Sequence, residues 1–192
     1  GVVVVRLKDN VHEVARFRRD IGYSDGRRPD RVVFTDEKED ARRRDFTVNG
    51  MFWDPSNDRV LDYVGGQKDL EQRIIRTIGS AHDRFLEDHL RMMRAIRFAC
   101  RLGWDLDEAV KTAIEGNSSK IQTVSSERIR NELVKILTEG GAAQGVRWLL
   151  DTGLMHWIIP ELTSLEGVPQ PPAFHPEGDV LLHTLIMLGL MR

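Results

Sequence analysis

The chain has 192 residues, of which 41% are hydrophobic and 30% are charged, and its formal net charge is -2. These values are typical of a folded domain and exclude a protein that binds nucleic acid through a strongly basic overall charge. No apolar run reaches the roughly 20 residues that a membrane span needs. The first residues do not show a signal-peptide pattern, and a single cysteine excludes an internal disulfide, which favours a cytoplasmic location.

The chain opens with a predicted β-hairpin. Val2–Leu7 and Val11–Phe17 are rich in β-branched residues and flank a short polar turn. Because an isolated two-stranded hairpin is marginally stable, we expect more sheet before Gly1. Glu13 lies on an otherwise apolar face of the second strand, so it needs a nearby arginine, a metal ion or water as partner.

Residues 20–90 contain short elements separated by glycine and proline. Residues 20–42 are predicted to be a polar loop, and a helix beginning near Asp40 is expected to carry residues 43–52. A short strand is predicted at 60–63 and an extended segment at 74–78.

The rest of the chain has helical periodicity. Apolar residues recur at spacings of three and four from Arg84 onward. Helices are predicted at 84–102, 107–117, 125–139, 142–152 and 180–191. The intervening residues 163–178 hold four of the seven prolines and are predicted to be a loop. The pattern predicts an α+β fold in three parts: residues 1–80 with a mixed or antiparallel sheet, an all-helical part at 81–162, and a linker with a further helical region at 163–192.

Two charged segments are candidate nucleotide-binding sites. Arg43, Arg44 and Asp45 offer fork-shaped donors and an acceptor that suit phosphate and ribose, and Asn49 could reach a sugar hydroxyl. In the second segment, Asp88 and Arg91 are predicted to lie one helical turn apart. An acceptor beside a donor fork can match the edge of a nucleobase, whereas an ordinary surface ion pair is the alternative at this spacing.

Two further groups have a structural or an open interpretation. Glu127, Arg128 and Glu132 are predicted to support the preceding helix, with an i,i+4 pair between Arg128 and Glu132. His175, Asp179 and His183 are spaced as metal ligands could be, but an adjacent His-Asp doublet is missing from this group, so the sequence alone assigns no metal site there. Asp179 and His183, at i and i+4, could share one helix face as metal ligands do.

Taken in order, these segments resemble the class II tRNA nucleotidyltransferase and bacterial poly(A) polymerase family. The resemblance rests on a strand motif, an RRDFTxNA motif, a D-x(2)-G-G-x(2)-D-L hinge motif, an EDxLRxxR motif and an ERIxxE motif. In this chain they are Glu13–Arg18, Arg43–Gly50, Asp62–Leu70, Glu87–Arg94 and Glu127–Glu132. Gly50 stands where the family motif has alanine, a small-for-small change. The segment Phe174–Asp179, within residues 163–192, resembles the start of HD-type domains that follow in some family members.

The resemblance implies transfer of CMP and AMP from CTP and ATP to the 3′ end of tRNA without a template. It implies that residues 1–80 are part of a nucleotidyltransferase head and that residues 81–162 are a neck and body for nucleotide selection and RNA binding. Asp88 and Arg91 would pair with the incoming base. The other residues that it implies in nucleotide binding are Arg43, Arg44, Asp45, Asn49 and Arg94.

The resemblance also implies Mg²⁺, held by an Asp-x-Asp pair on a strand before Glu13. No such pair precedes Glu13 in this sequence, so we expect it upstream of Gly1 and expect the 192 residues alone to be inactive. Glu13 is kept as a candidate catalytic residue that faces the same site.

Four functions remain open at this point. CCA addition is favoured because the segment Asp20–Asp40, which includes Tyr23–Pro29, resembles the flexible loop of enzymes that add C and then A. Poly(A) synthesis is the alternative within the family. A nucleotide- and RNA-binding module without catalysis is the alternative from another class, and a metal phosphohydrolase that uses His175, Asp179 and His183 is a further one.

Overall fold

The computed structural model describes residues 2–8, 10–23 and 29–190. Ser24–Arg28, the centre of the predicted flexible loop, lie outside the described residues. The strands are β1 Val2–Leu7, β2 Asn10–Ala15, β3 Arg18–Ile21, β4 Arg31–Phe34, β5 Phe52–Asp54, β6 Arg59–Leu61, β7 Ile74–Ile75 and β8 Asp105–Leu106. The helices are α1 Glu37–Arg42, α2 Gly66–Gln72, α3 Ala81–Glu87, α4 Arg91–Leu102, α5 Glu108–Asn117, α6 Ser126–Thr138, α7 Ala142–Asp151, α8 Leu154–Ile158, α9 Pro160–Thr163 and α10 Val180–Leu190. Two 3-10 turns cover Thr47–Asn49 and Ser118–Thr123.

The strands form small pairs. β1–β2, β3–β4 and β5–β6 are antiparallel hairpins, and β7 pairs with β8 in parallel. The predicted α+β fold is therefore confirmed. The apolar side chains of the first hairpin are exposed on both faces, as shown by Val4 on β1 and Val14 on β2, at 62% and 54% exposure.

The predicted loop at residues 20–42 is wrong for two parts of that range. β4 pairs with β3, so that Val32 lies opposite Asp20. α1 begins after Asp36, whose carboxylate accepts the backbone N–H of Glu39 at 2.9 Å. An acidic N-cap stabilises the start of a helix even in a very polar sequence. The loop prediction relied on the polar composition of the segment and did not take this cap into account.

The predicted helix over residues 43–52 is also wrong, because residues 45–47 run beside residues 76–78, with a β-bridge between Phe46 and Thr77. Ile78 N–H donates to the carbonyl of Asp45 at 3.1 Å, and Thr47 N–H donates to the carbonyl of Arg76 at 3.0 Å. These bonds satisfy backbone groups across the segment, so a helix is not needed there.

The Asp62–Leu70 motif packs against this segment. The Asp62 carboxylate accepts backbone N–H groups from four successive residues at 2.9–3.0 Å, and they are Val64, Gly65, Gly66 and Gln67. Asp69 is buried and accepts the hydroxyl of Thr47 at 2.7 Å. The motif thus anchors α2 on Thr47, and its role as a hinge stays a prediction.

Gly50 allows a close approach of neighbouring chains. A Cβ at this position would lie 2.6 Å from Cγ2 of Val64 and 2.9 Å from Cδ1 of Ile78. Both distances are shorter than ordinary carbon contacts, so alanine at this position would require Val64 and Ile78 to shift.

The helix predicted from Arg84 to Gly103 is interrupted. Asp88 is extended, with φ -149° and ψ 107°, so α3 ends before it and α4 begins at Arg91. The carboxylate of Asp88 accepts the N–H of Leu90 at 3.1 Å, and Leu90 is buried. A short acidic side chain that bonds nearby backbone competes with the helix in this way.

α4 lies at the centre of the hydrophobic core. Its fully buried residues include Met92, Met93 and Ile96, and α6 and α7 pack against it. The core runs from Phe46 to Leu185, so it crosses residue 80 and reaches α10. The divisions at residues 80 and 162 stay predictions. None of the helices within the described ranges is long and apolar enough to span a membrane.

Candidate nucleotide-binding site

A cavity of about 550 Å³ lies between the Arg43–Asn49 segment and the break that separates α3 from α4. Its lining contains all seven residues predicted to bind the nucleotide, and they are Arg43, Arg44, Asp45, Asn49, Asp88, Arg91 and Arg94. Leu90 and Arg128 complete the lining. The tertiary structure therefore joins the two charged segments at one site.

Asp40 holds the two leading arginines of the site. Its carboxylate accepts Nη2 of Arg43 at 2.7 Å and Nη2 of Arg44 at 3.1 Å, and it also accepts the backbone N–H of Arg18 at 3.0 Å. Burial disfavours the charged form, but the hydrogen bonds from Arg18 and Arg43 outweigh burial and lower the pKa of Asp40. Sequence reasoning missed this role, although acid-to-arginine spacings of three and four on a helix end are a signal for it.

Asp45 and Arg94 join the two segments directly. Arg94 donates to one carboxylate oxygen of Asp45 from Nη2 at 2.6 Å and from Nε at 3.0 Å. The other oxygen accepts the side-chain amide of Asn49 at 3.0 Å and the backbone N–H of Phe46 at 2.9 Å. Burial raises the pKa of Asp45, but the charge of Arg94 and these hydrogen bonds outweigh burial, so the pKa is lowered.

Arg44 is fixed by a ring and a carbonyl as well as by Asp40. Its guanidinium lies 4.5 Å from the centre of the Phe52 ring, and Nη1 donates to the carbonyl of Asn49 at 2.8 Å. A guanidinium that is stacked and hydrogen-bonded in this way is pre-organised for an anionic ligand.

Arg91 pairs with Glu87 and not with Asp88. Its Nη1 donates to Oε2 of Glu87 at 2.5 Å and to the carbonyl of Arg84 at 3.1 Å. The same oxygen of Glu87 accepts Nη1 of Arg84 at 2.8 Å. Burial lowers the pKa of Arg91, but the bond and charge of Glu87 outweigh burial and raise it. The predicted placement of Asp88 and Arg91 on one helix turn is wrong, because the helix breaks between them, yet both still line the cavity.

Asp88 is held from the opposite side by α6. Arg128 Nη2 lies 2.9 Å from one carboxylate oxygen of Asp88 and 3.3 Å from the other. The predicted pair between Arg128 and Glu132 is therefore replaced by a pair that reaches the site itself. Because of this contact, Arg128 is a residue of the cavity and not only of its support.

Glu132 supports the site from the core. Its carboxylate accepts Nε of Arg97 at 2.7 Å, and both side chains are buried. The pair links α6 to α4, whose first residue is Arg91. Within the Glu127–Glu132 segment, Arg128 contacts Asp88 and Glu132 contacts Arg97, so these two residues can support the site as predicted. Glu127 is exposed in the first turn of α6.

Glu13 lies away from this site. It is exposed on β2 opposite Val4, and it does not belong to the cavity lining. Its catalytic role stays a prediction.

The aspartates of the cavity do not fit a magnesium site. Asp45 is engaged by Arg94, and Asp88 is engaged by Arg128. Mg²⁺ requires oxygen ligands in an octahedral arrangement, and carboxylates that face guanidinium groups do not offer it. The part of the chain that the structure describes has one group of three possible metal ligands, His175, Glu177 and His183.

Asp179, predicted as a possible metal ligand, has a backbone role. Its carboxylate accepts the N–H of Leu182 in α10 at 2.8 Å and the N–H of Gly167 at 2.8 Å. These bonds cap the helix and close the preceding loop. Metal binding by Asp179 and His183, which the sequence left open, stays untested: Asp179 accepts backbone N–H groups, and Nδ1 of His183 contacts Glu177.

The side chains of the cavity suit a ligand that carries both an anionic group and a polar ring. Five arginines line it, against two aspartates, so positive charge prevails. Guanidinium groups bind phosphate oxygens with paired hydrogen bonds. Asp88 and Arg91 add an acceptor and a donor on the α4 side of the cavity, which is the combination that the edge of a base requires.

Comparison with known families covers most of the chain. The family described as "Poly A polymerase head domain" matches residues 1–76. The family described as "Probable RNA and SrmB- binding site of polymerase A" matches residues 103–166. The cavity takes residues from the first region, from the α3–α4 segment that lies between the two, and from α6 in the second.

Individual proteins agree with these matches. The CCA-adding enzyme of Lactobacillus johnsonii is 38% identical over 178 residues, which are 92% of this chain and 44% of that protein. The crystal structure of the Bacillus stearothermophilus CCA-adding enzyme in complex with CTP has a TM-score of 0.72 and 39% identity, over 80% of this chain and 37% of that one. The Thermotoga maritima CCA-adding enzyme complexed with tRNA has a TM-score of 0.57 and 28% identity, over 73% of this chain and 34% of that one.

The chain spans less than half the length of these relatives. Within that span the ordered motifs, the fold and the two family matches agree. The chain therefore belongs to the CCA-adding enzyme and poly(A) polymerase family.

Proposed function

We propose that the protein containing this chain adds CMP and AMP, from CTP and ATP, to the 3′ end of tRNA. The observation that carries the proposal is the single cavity that gathers Arg43–Asn49, Asp88, Arg91 and Arg94. Relatives named CCA-adding enzymes support the choice of reaction. A cytoplasmic location belongs to the same proposal and rests on this reaction.

In the proposed complex, Asp88 and Arg91 read the base. Cytosine and adenine both place an exocyclic amine, which donates, beside a ring nitrogen that accepts. A carboxylate and a guanidinium can complement both bases, whereas uracil and guanine present a carbonyl oxygen beside a ring N–H. The bonds that Arg91 makes in the structure all use Nη1, so within the described residues Nε and Nη2 remain as donors.

The arginines on the other side of the cavity bind the rest of the nucleotide. Arg43 and Arg44 are held by Asp40 and present their remaining donors to the phosphates. Asp45 and Asn49 are hydrogen-bonded to each other. In the complex, hydroxyl groups of the ribose replace this bond with hydrogen bonds to the two side chains. The chain thus binds and orients the nucleotide, and its geometry is pre-formed by ion pairs.

Mg²⁺ is part of the proposal as an ion that neutralises the triphosphate and the leaving pyrophosphate. The aspartates of the cavity do not fit it, since each faces an arginine. We therefore assign no chemical step to the described residues.

The test is an incorporation assay with the full-length protein and a tRNA that lacks its 3′ CCA. We expect incorporation from CTP and ATP and little from UTP or GTP. Asp88→Ala and Arg91→Ala should remove this preference. Equal use of all four nucleotides by the unmodified protein would contradict the proposal.

Poly(A) synthesis is a second candidate, favoured by the match of residues 1–76 to a poly(A) polymerase head family. Product length separates the two reactions. Three added nucleotides on tRNA indicate CCA addition, and a long adenylate tail on unrelated RNA indicates poly(A) synthesis.

A further inference from the structure

Asp40 lies in α1, behind the nucleotide cavity, and its side chain is only 3% exposed. It does not belong to the lining of that cavity, whereas Arg43 and Arg44 do. A bound nucleotide would therefore contact the two arginines and not the carboxylate that holds them. Any effect of Asp40 on nucleotide binding has to pass through Arg43 and Arg44.

The carboxylate of Asp40 holds the same edge of both guanidinium groups. Oδ1 accepts Nε and Nη2 of Arg43 at 2.9 and 2.7 Å, and Oδ2 accepts Nε and Nη2 of Arg44 at 3.2 and 3.1 Å. A guanidinium is a rigid planar fork, so fixing the edge formed by Nε and Nη2 also fixes the direction of the remaining N–H groups. Asp40 thus determines where both arginines can donate.

The Nη1 atoms keep donors for a ligand. Nη1 of Arg43 lies 3.6 Å from Oδ2 of Asp20, which is beyond the range of a hydrogen bond. Nη1 of Arg44 donates to the carbonyl of Asn49 at 2.8 Å and carries a second hydrogen. The Nη1 side of each arginine is therefore the side that can bind phosphate oxygens.

Asp40 is itself anchored to the backbone of β3. The N–H of Arg18 donates to Oδ1 of Asp40 at 3.0 Å, and the carbonyl of Arg18 accepts Nε of Arg43 at 3.0 Å. β3 is in turn paired with β4, with Arg18 opposite Phe34. The position of the carboxylate is thus set by a strand pair and is in place before any ligand binds.

Two neighbouring guanidinium groups repel each other, because both carry a positive charge. Their side chains are 24% and 34% exposed, so Arg43 and Arg44 have room to turn towards solvent. A buried carboxylate between them offsets the repulsion and holds them side by side. Phosphate groups of a nucleotide need this arrangement, since their oxygens bind paired N–H donors.

We infer that Asp40 is a positioning residue that orients Arg43 and Arg44 for the phosphates of the nucleotide. The inference rests on the proposed function of the cavity. It assigns Asp40 to recognition of the triphosphate and not of the base, which Asp88 and Arg91 read on the other side. A residue that only stabilised the fold would affect binding of a nucleotide and of its nucleoside alike.

The experiment compares binding of CTP and of cytidine to the full-length protein, by calorimetry for CTP and by ligand-observed NMR for cytidine. Asp40→Glu keeps the charge but moves the carboxylate by one methylene group, and Asp40→Asn removes the charge. Since a misplacement of about 1 Å can cost about 100-fold, we expect each variant to weaken CTP binding at least about tenfold. Cytidine binding should stay within about twofold, because cytidine has no phosphates.

Glu39→Asp and Glu39→Gln are the matched controls. Glu39 precedes Asp40 in α1 and pairs with Arg42 at 2.6 Å, and neither of these residues lines the cavity. Both control variants should bind CTP as the unmodified protein does. A melting temperature for each variant separates loss of binding from loss of the fold.

The possible results separate this inference from the proposed function. CTP affinity that is unchanged in Asp40→Glu, or an equal loss of CTP and cytidine affinity, would overturn the role of Asp40 alone. Asp40→Glu keeps a paired charge, so it provides this reading even where Asp40→Asn unfolds. Equal binding of CTP and cytidine by the unmodified protein would refute the proposed triphosphate site and, with it, the inference.

Discussion

Arg128 and Asp88 are separated by 40 positions in sequence, and their side chains meet at 2.9 Å. The contact ties the first turns of α6 to the break between α3 and α4. It also holds the carboxylate of Asp88 at the edge of the cavity, next to the residues that we propose bind the nucleotide. The start of α6 and the break between α3 and α4 therefore form one side of the cavity together.

Removal of Arg128 should weaken nucleotide use through Asp88. A charge-assisted hydrogen bond contributes about 1.5–3 kcal/mol, so we expect kcat/KM for CTP to fall about tenfold or more in Arg128→Ala. Arg130→Ala is the matched control, because Arg130 is exposed on the same helix. If the effect acts through Asp88, Arg128→Ala should lower kcat/KM for CTP much less in an Asp88→Asn background than in the unmodified protein.

Arg91→Ala should reduce base selectivity more than RNA affinity. A well-placed donor fork discriminates between bases by about 1–3 kcal/mol, so the ratio of kcat/KM for CTP over UTP should fall about ten- to hundredfold. tRNA binding should stay within about twofold. Arg101→Ala on the same helix is the control, since its side chain is 55% exposed. Equal loss of selectivity and of tRNA affinity would count against base reading.

Glu132→Ala should destabilise the fold. It leaves Arg97 buried without its main partner, which typically costs about 3–5 kcal/mol. The free energy of unfolding in urea measures the loss. The double variant Arg97→Met/Glu132→Leu should lose far less, because it removes both charges. Lys135→Ala should change little, because Lys135 is half-exposed and lies 3.4 Å from Glu132. A double variant as unstable as Glu132→Ala would contradict this reasoning.

Asp45 should contribute stability that disappears in acid. Its pKa is lower in the folded protein than the ordinary value of about 3.9. A lowered pKa means that the contribution is complete above the ordinary value and is lost as the pH falls through the folded value. The stability difference between the unmodified protein and Asp45→Asn should be largest near neutral pH and shrink below about pH 4. Unfolding curves across this range measure it, and a difference that does not vary with pH would refute the assignment.

Cys100 should be unreactive in the folded protein. Burial raises the pKa of its thiol to about 12, so almost no thiolate is present at neutral pH. A thiol reagent such as Ellman's reagent should label Cys100 slowly in buffer and rapidly in guanidinium chloride. Rapid labelling in buffer would mean that the core around α4 and α7 opens readily.

Much of the architecture follows from local patterns. The spacing of apolar residues predicted α5, α6, α7 and α10 close to their observed bounds, because a helix buries one face at a period of 3.6 residues. The β1–β2 hairpin and the resemblance of the ordered motifs were likewise visible in the amino-acid order. The seven nucleotide-binding candidates could be named before their positions in space were known.

The partners of these residues were decided by tertiary contacts. Asp88 faces Arg128, Arg91 faces Glu87, and Asp45 faces Arg94, whereas helical spacing suggested a pair between Asp88 and Arg91. Periodicity describes a continuous helix and carries no information about a break that is stabilised by a side chain from another helix. Ion pairs between distant segments depend on how the core brings α4 and α6 together, and that packing is a property of the whole chain.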